Sequence, residues 1–241
     1  MSIEKQFDHF AESIGIERKE LDSLRSLTHR KQRLVGFDYR SKGDFVACPW
    51  LTFWLAETPA RLEIVEGVLL MQDWWEYQQK RPTLGDNVDY LKEALSHRPD
   101  AGDRTLNNLL TDHWRAAIGE GRWVVSNAVW ALRPQSQGAT GELSAEVHQR
   151  AFGFWSKVVH HFACQPHFKL VVAGRWGWIG EHEIALAAYL GRWAEWAQCS
   201  DSLGTKNTKG ITLCRPHPAA RGCSRGEFDE IVCGECKRKA A

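Results

Sequence analysis

Four short, largely apolar runs, separated by longer stretches with helical periodicity, constrain the fold of this chain most. They cover residues 64–71, 122–129, 169–173 and 211–214. Continuous apolar runs of this length are typical of strands that are buried on both faces of a parallel sheet. Strands that alternate with helices indicate the α/β class. The sequence therefore predicts a three-layer α/β/α sandwich around a four-stranded, mostly parallel sheet.

Helical periodicity fills most of the remaining chain. Apolar residues recur at helical spacing over residues 3–33, with a break near Gly15. Further helices are expected at residues 106–118, 142–162, 181–197 and 228–232, and residues 77–104 are expected to form a long loop with a possible helix at 86–95. We expect residues 1–55 to form an N-terminal helical extension packed on the core, and residues 56–241 to form one α/β/α domain.

Composition excludes several classes of protein. The net charge is only +1, so the chain as a whole is not basic enough to indicate a protein that binds nucleic acid through its overall charge. Its local basic stretches fit either solvated surfaces or a face that binds a polyanion. No apolar run approaches the roughly 20 residues of a membrane span, and no apolar leader follows Met1. The seven scattered cysteines fit free thiols in a reducing compartment. We expect a cytoplasmic monomer with no membrane partner.

Polar side chains occur at the ends of three of the apolar runs. Asp73 follows the first run, Asn127 lies near the end of the second, and His217 follows the fourth. Ligands bind outside the carboxyl ends of the strands in open parallel sheets, so these three side chains are expected to converge on one crevice. Each also has a structural interpretation: a helix cap, a turn former and a structural histidine, respectively.

Motifs for common cofactors are missing from the sequence. No glycine-rich dinucleotide motif, Walker loop or nucleophile elbow follows a predicted strand. Cys233 and Cys236 have metal-ligand spacing, but a second close cysteine pair is lacking. We expect neither a metal nor a cofactor, with zinc at this pair as the alternative.

Taken together, these segments resemble the motifs of the uracil-DNA glycosylase superfamily over roughly residues 60–230. The segments that carry the resemblance are Met71-Gln72-Asp73-Trp74-Trp75-Glu76, Val125-Ser126-Asn127-Ala128-Val129, Trp176-Gly177 and His217-Pro218-Ala219-Ala220-Arg221-Gly222. A weaker similarity to the family's Leu-Leu-Asn segment lies at Leu106-Asn107-Asn108-Leu109. The fold implied by the resemblance is the same α/β/α sandwich.

The resemblance implies a monofunctional DNA glycosylase that needs no cofactor. Such an enzyme flips a damaged or modified pyrimidine out of DNA, hydrolyses its N-glycosidic bond and leaves an abasic site. The implied catalytic residues are Asp73, which faces the sugar and the attacking water, and His217, which donates to the leaving base. The implied base-binding residues are Gln72, Asn127, Trp74 and Trp75, and the implied DNA-binding residues are Arg221, Arg215 and Arg225.

Departures from the family pattern cluster around the base. Met71 replaces a glycine, Trp75 replaces the tyrosine that excludes thymine, and Ala219 replaces a serine. These changes put uracil as the sole substrate in doubt, so the expected base is uracil or a 5-substituted or otherwise modified cytosine, such as a sugar-bearing base of phage DNA, with repair and antiviral defence both open. The alternative functions are a non-catalytic module that binds DNA or a modified base, and an unrelated α/β hydrolase.

Overall fold

The computed structural model describes residues 3–22, 49–58, 62–75, 84–97, 104–133, 153–155, 157–162, 165, 168–173, 212–215, 218 and 223–233. The helices are α1 (Ile3–Ser13), α2 (Pro49–Glu57), α3 (Leu84–Ser96), α4 (Arg104–Leu109), α5 (Asp112–Gly119) and α6 (Asp229–Val232). Residues 18–22, 153–155 and 157–162 are also helical. The strands are β1 (Gly67–Trp75), β2 (Trp123–Arg133), β3 (Lys169–Ala173) and β4 (Thr212–Arg215).

The strands form a parallel sheet with β1 at its centre. β2 and β3 pair with the two edges of β1, and the short β4 pairs with the outer edge of β3. Val68, Leu69 and Leu70 of β1 are fully buried. Because successive residues of a strand point to opposite faces, burial of three in a row means that both faces of β1 are covered. The prediction of an α/β fold with a parallel sheet is confirmed.

Two strands extend further than the apolar pattern predicts. β1 begins at Gly67 rather than at Ile64, because Leu62–Ile64 form a 3-10 turn, and it continues to Trp75. β2 continues to Arg133. The extensions include polar residues because ladder hydrogen bonds join backbone groups and tolerate any side chain except proline. Asp73 and Asn127 therefore lie within strands, not after them.

The helix expected at residues 106–118 is wrong as a single element. It divides into α4 and α5, because the side chain of Thr111 accepts a hydrogen bond from the Trp114 backbone N–H and so caps the start of α5. The expected helix at residues 181–197 and the first part of the one at 142–162 lie outside the described residues. The possible helix at 86–95 is present as α3, within residues that the sequence predicted mainly as a long loop, and the expected strand at 169–173 is confirmed as β3.

The N-terminal helix α1 contributes to the same hydrophobic core as the sheet. Phe7 stacks on Phe154 with ring centroids 5.7 Å apart, and Phe10 meets Trp54 of α2 edge to face. Gly15 ends α1 with a positive φ of 76°, and the backbone N–H of Ile16 returns to the carbonyl of Ala11. The expected boundary between residues 55 and 56 falls inside α2, which contacts α1, α3 and β2.

The amino ends of the three adjacent strands β2, β1 and β3 are aligned by residues at or just before their starts. The Glu66 backbone N–H donates to the Arg122 carbonyl at 2.7 Å, and the Lys169 N–H donates to the Glu66 carbonyl at 2.9 Å. The Arg122 guanidinium also pairs with the Glu66 carboxylate at 2.9 Å. Gly121, with a φ of 75°, turns the chain from α5 directly into β2. These contacts fix the register in which the strands begin.

Among the helices that the structure describes, none combines the length and the apolar character needed to cross a bilayer.

A methyl group at residue 67 should destabilise the fold, because β1 and β2 meet too closely there to admit a side chain. An added Cβ would lie 2.5 Å from the Trp123 ring and 2.8 Å from the Lys169 carbonyl oxygen. We expect Gly67→Ala to lower the free energy of unfolding by about 3 kcal/mol, measured by urea denaturation. Gly119→Ala is the matched control, since nothing lies within 4 Å of its added Cβ. Equal denaturation midpoints for the two variants would contradict this packing.

Candidate functional site

The carboxyl end of the sheet has a topological switch point between β1 and β3. From β1 the chain passes to β2 on one side, and then to β3 on the other side. In open parallel sheets of this order, ligands bind in the crevice at such a point. The pairing of β1 with β3 ends at Leu70 and Val172, whereas its pairing with β2 continues to Trp75 and Arg133. Among the described residues, β1 therefore continues past its pairing with β3 at this switch point.

Asp73 and Asn127 occupy neighbouring positions on β1 and β2. Met71 pairs with Asn127, and Asp73 pairs with Val129, so Asp73 lies two residues further toward the carboxyl end. Strand spacing and rise place the Cα atoms of Asp73 and Asn127 about 8 Å apart. The fold thus brings these two sequence-predicted residues together at one edge of the sheet.

The pairing of β1 with β2 changes register at Asp73. The partner of Asp73 is Val129, but the partner of the next residue, Trp74, is Leu132. Two additional residues of β2 are accommodated at this step. Irregularities of this kind bend a strand and are frequent next to active sites, where they redirect side chains. The strand segment that carries Asp73, Trp74 and Trp75 is therefore the least regular part of β1.

Asn127 is a buried polar residue in an otherwise apolar part of the sheet. Its exposed fraction is 7%, and the adjacent Ser126 is fully buried. The Ser126 hydroxyl donates to the Asn127 backbone carbonyl at 3.1 Å. Burying an amide is unfavourable unless its donors and acceptors have partners, so such a residue needs a specific arrangement of polar groups around it. An oriented carboxamide offers one acceptor and two donors, which suits recognition of a base edge.

The remaining sequence-predicted residues are distributed over β1, β4 and the chain beyond β4. Gln72, Trp74 and Trp75 belong to β1, and Trp74 and Trp75 pair with Leu132 and Arg133. Arg215 is the last residue of β4 and pairs with Ala173. His217 and Arg221 lie outside the described residues. Arg225 lies in the C-terminal segment, which we define as Pro218 together with residues 223–233.

Arg225 has a structural role that the sequence did not indicate. Its guanidinium donates to the backbone carbonyls of Asn107, at 2.5 Å, and Leu110, at 3.0 Å. These carbonyls are at the end of α4, where helix carbonyls lack intrahelical partners. The side chain is nevertheless exposed, and its contact with DNA stays a prediction.

The C-terminal segment is fastened to α4 and α5 along its length. The Asn108 amide donates to the carbonyls of Pro218, at 2.8 Å, and Cys223, at 3.1 Å. The Trp114 indole donates to the Phe228 carbonyl at 3.0 Å.

Two further hydrogen bonds hold α6, at the end of the C-terminal segment. The hydroxyl of Thr111 donates to the Asp229 carboxylate at 2.5 Å, and the ammonium of Lys169, in β3, donates to the Ile231 carbonyl at 2.7 Å. Sequence reasoning singled out none of these side chains for this role, since each bond joins residues far apart in the chain.

The described residues contain no group of three or more His, Cys, Asp or Glu side chains that could hold a metal ion. Cys233 is among these residues, but Cys236 lies outside them. Zinc at this cysteine pair therefore stays open, and the expected lack of a cofactor stays a prediction.

No protein-family model matches this chain, and no curated protein and no solved structure matches it significantly. The functional assignment therefore depends on residue chemistry and sheet geometry.

The Cys223 thiol at the start of residues 223–233 should resist alkylation at neutral pH. Burial raises the pKa of this thiol to about 11, with a further contribution from its hydrogen bond to the Glu227 carboxylate and from the charge of that carboxylate. We expect its iodoacetamide reaction, followed by peptide mass spectrometry, to accelerate only as the pH approaches this value. Glu227→Gln should shift the profile to lower pH. A profile equal to that of the urea-unfolded chain, with a midpoint at about 8.5, would contradict the shift.

Proposed function

We propose that this protein is a DNA glycosylase that hydrolyses the N-glycosidic bond of a flipped-out damaged or modified pyrimidine and leaves an abasic site. The observation that carries the proposal is the register of Asp73 and Asn127 on the adjacent strands β1 and β2, of which β1 borders the switch point. A carboxylate and a carboxamide at one crevice supply an anion for the sugar and a donor–acceptor group for the base. The order of the motifs along the chain supports the same conclusion.

The proposal includes a full three-layer sandwich around four parallel strands. Burial of successive β1 residues supports helices on both faces of the sheet. The chain crosses the sheet in one direction from β1 to β2 and in the opposite direction from β2 to β3. Because connections between parallel strands are right-handed, these two crossings put their helices on opposite faces of the sheet.

In the same proposal the protein is a cytoplasmic monomer, and the free Cys223 thiol is compatible with a reducing compartment.

The chemistry assigned to Asp73 is electrostatic stabilisation and activation of water. As the bond between the sugar carbon and the base nitrogen breaks, its electron pair leaves with the base and positive charge develops on the sugar. The Asp73 carboxylate stabilises that charge and accepts a proton from the attacking water, whose oxygen bonds to the sugar carbon. His217 donates a hydrogen bond to the base oxygen where negative charge develops. Preorganised groups of this kind contribute several kcal/mol to transition-state stabilisation.

Recognition of the base and of DNA is assigned to the remaining residues. The Asn127 amide reads the pyrimidine edge, and Gln72, Trp74 and Trp75 surround the base, with tryptophan faces also suited to a base that carries a sugar. The arginines Arg221, Arg215 and Arg225 contact DNA, with Arg221 filling the space that the flipped nucleotide leaves. Arginine contacts to phosphate make the affinity fall as salt rises.

Replacing the proposed nucleophile-activating carboxylate should abolish product formation without abolishing DNA binding. We expect Asp73→Asn to lower the single-turnover rate at least ~100-fold, on the scale of losing one electrostatic catalytic group, while the Kd for DNA stays similar. Substrates are duplexes with uracil, a thymine mismatch, 5-hydroxymethylcytosine or glucosylated cytosine, and released bases are identified by mass spectrometry. Asp112→Asn, in the solvent-exposed first turn of α5, is the matched control.

Three outcomes of that experiment separate the functions. Cleavage by the wild type and the Asp112→Asn control, but not by Asp73→Asn, supports the glycosylase. Equal DNA binding with no cleavage by any of the proteins indicates the binding module instead. Lack of DNA affinity at low salt indicates an unrelated α/β hydrolase and contradicts the proposal.

Truncating Asn127 should alter base selection as well as stability. Asn127→Ala removes the amide that reads the base edge, so we expect kcat/KM for the preferred base to fall at least ~10-fold and discrimination between bases to decrease. Ser126→Ala, at the neighbouring buried position, should change the free energy of unfolding but leave base discrimination intact. Both variants are compared after their Tm values are measured. Identical base preferences in Asn127→Ala and the wild type would remove Asn127 from the site.

A further inference from the structure

The change of register between β1 and β2 directly follows Asp73, the residue that the sequence selects for the reaction. β1 keeps one register with β2 up to the pair of Asp73 and Val129, whereas Trp74 pairs with Leu132. The described pairings of β3 with β1 and with β4 each keep a single register. Sequence and strand pairing therefore single out the same position of β1 by different criteria.

The change of register leaves two residues of β2, Trp130 and Ala131, without a partner in the described β1–β2 ladder. We call these two residues the β2 insertion. From Val129 to Leu132, three residue steps of β2 lie opposite one step of β1. Three steps of an extended strand would cover roughly 10 Å, whereas one step covers about 3.3 Å. The backbone of β2 therefore departs from the extended path at the insertion.

The local sequence does not favour this departure. The segment from Val129 to Leu132 contains no glycine, proline, asparagine or aspartate, which are the residues that usually form turns. Its apolar and aromatic residues favour a continuous strand instead. An irregularity that conflicts with local preference costs stability, and such conflicts occur mainly at functional sites. The insertion is thus a candidate functional feature.

The pairing on each side of Asp73 shows what the insertion controls. Met71 and Trp74 both pair with β2, while the described pairing of β1 with β3 ends at Leu70. A strand bends where its partner carries extra residues, so the insertion sets the direction in which β1 continues after Asp73. Without the insertion, Val129 would be joined to Leu132, and all the described pairs of β1 with β2 would remain possible in one register.

We propose that the β2 insertion is a positioning element, which sets the carboxyl-end segment of β1 relative to Asn127 of β2. This inference rests on the proposed function, in which that segment carries Asp73 and the two tryptophans Trp74 and Trp75 of the base site. A displacement of about 1 Å in a positioned group can reduce an enzymatic rate by a factor of roughly one hundred. The sheet itself does not need the insertion, because regular pairing is available without it.

The test removes the insertion and compares this deletion with a variant of unchanged length. The deletion variant lacks Trp130 and Ala131, so Val129 is joined to Leu132. Trp130→Ala is the matched control, because it removes the same indole but keeps both inserted residues. Trp130→Phe takes its place if Trp130→Ala does not fold. Each variant is also made together with Asp73→Asn, so that the Kd for DNA can be measured without cleavage.

Three quantities are measured: the Tm, the single-turnover rate at saturating DNA, and the base preference. The base preference is the Kd for a duplex with cytosine at the target position divided by the Kd for each of the substrate duplexes named above. We expect the deletion variant to match or exceed the wild-type Tm, because regular pairing replaces irregular pairing. Its cleavage rate should fall roughly 100-fold and its base preference should decrease. Trp130→Ala should stay closer to the wild type in both.

Each other result overturns the positioning role. A deletion variant that cleaves and selects bases as the wild type does shows that the insertion positions nothing. A deletion variant that does not fold shows that the insertion serves the sheet and not the site. Equal losses in the deletion variant and Trp130→Ala assign the effect to the indole and not to the inserted backbone.

Cleavage and base preference also separate this inference from the proposed function. If the wild type cuts no duplex, the proposed function fails. A base preference that the wild type shows, and that only the deletion variant loses, would still support the positioning role. A wild type with neither cleavage nor base preference contradicts both.

Discussion

The pairing of β1 with strands on both of its edges is the constraint on which the rest of this structure depends. Backbone groups of β1 are hydrogen-bonded to β2 on one side and β3 on the other, and Val68, Leu69 and Leu70 are fully buried. Because both faces of β1 are apolar, the hydrophobic pattern alone does not oppose a shift of one residue, and contacts at the start of the strand set its register. Gly67 reinforces the register, since the Trp123 ring occupies the space that any side chain at this position would need.

The regular pairing near the amino ends of the strands gives way to irregular pairing near their carboxyl ends. Contacts of Glu66 with Arg122 and Lys169 align the starts of the three adjacent strands β2, β1 and β3. At Asp73 the register changes, and β1 has already passed the end of its pairing with β3. In the described part of the sheet, the register irregularity therefore lies toward the carboxyl ends of β1 and β2, where the candidate residues of the proposed function lie.

A second group of contacts joins the chain beyond β4 to the helices that precede β2. Asn108, Thr111 and Trp114 each form a hydrogen bond with the C-terminal segment, and Lys169 holds the end of α6. Most of these bonds involve backbone carbonyls, whose partners must be supplied when the chain is buried outside regular structure. The segment is thereby located by polar contacts as well as by the burial of Phe228 and Ile231.

Local patterns in the sequence determined the α/β class, the presence of parallel strands, and the elements α3 and β3, because apolar spacing and strand length depend on neighbouring residues. The same patterns misplaced the ends of β1 and β2, since continued pairing depends on a partner strand and not on local hydrophobicity. They also predicted a single helix over residues 106–118, where the Thr111 cap separates α4 from α5. Asp73 and Asn127 were selected from the sequence as candidate residues, but their relative register could not be predicted from it.

Only the tertiary structure decided the register change at Asp73, the strand order that puts a topological switch point between β1 and β3, and the hydrogen bonds of Asn108 to the C-terminal segment. Asn108 and Pro218 are 110 positions apart, so no local pattern marks them as hydrogen-bond partners. They become partners because packing of the core brings α4 against the chain beyond β4. The sequence gives the type of each side chain and its spacing from its neighbours, whereas tertiary packing determines which distant group becomes its hydrogen-bond partner.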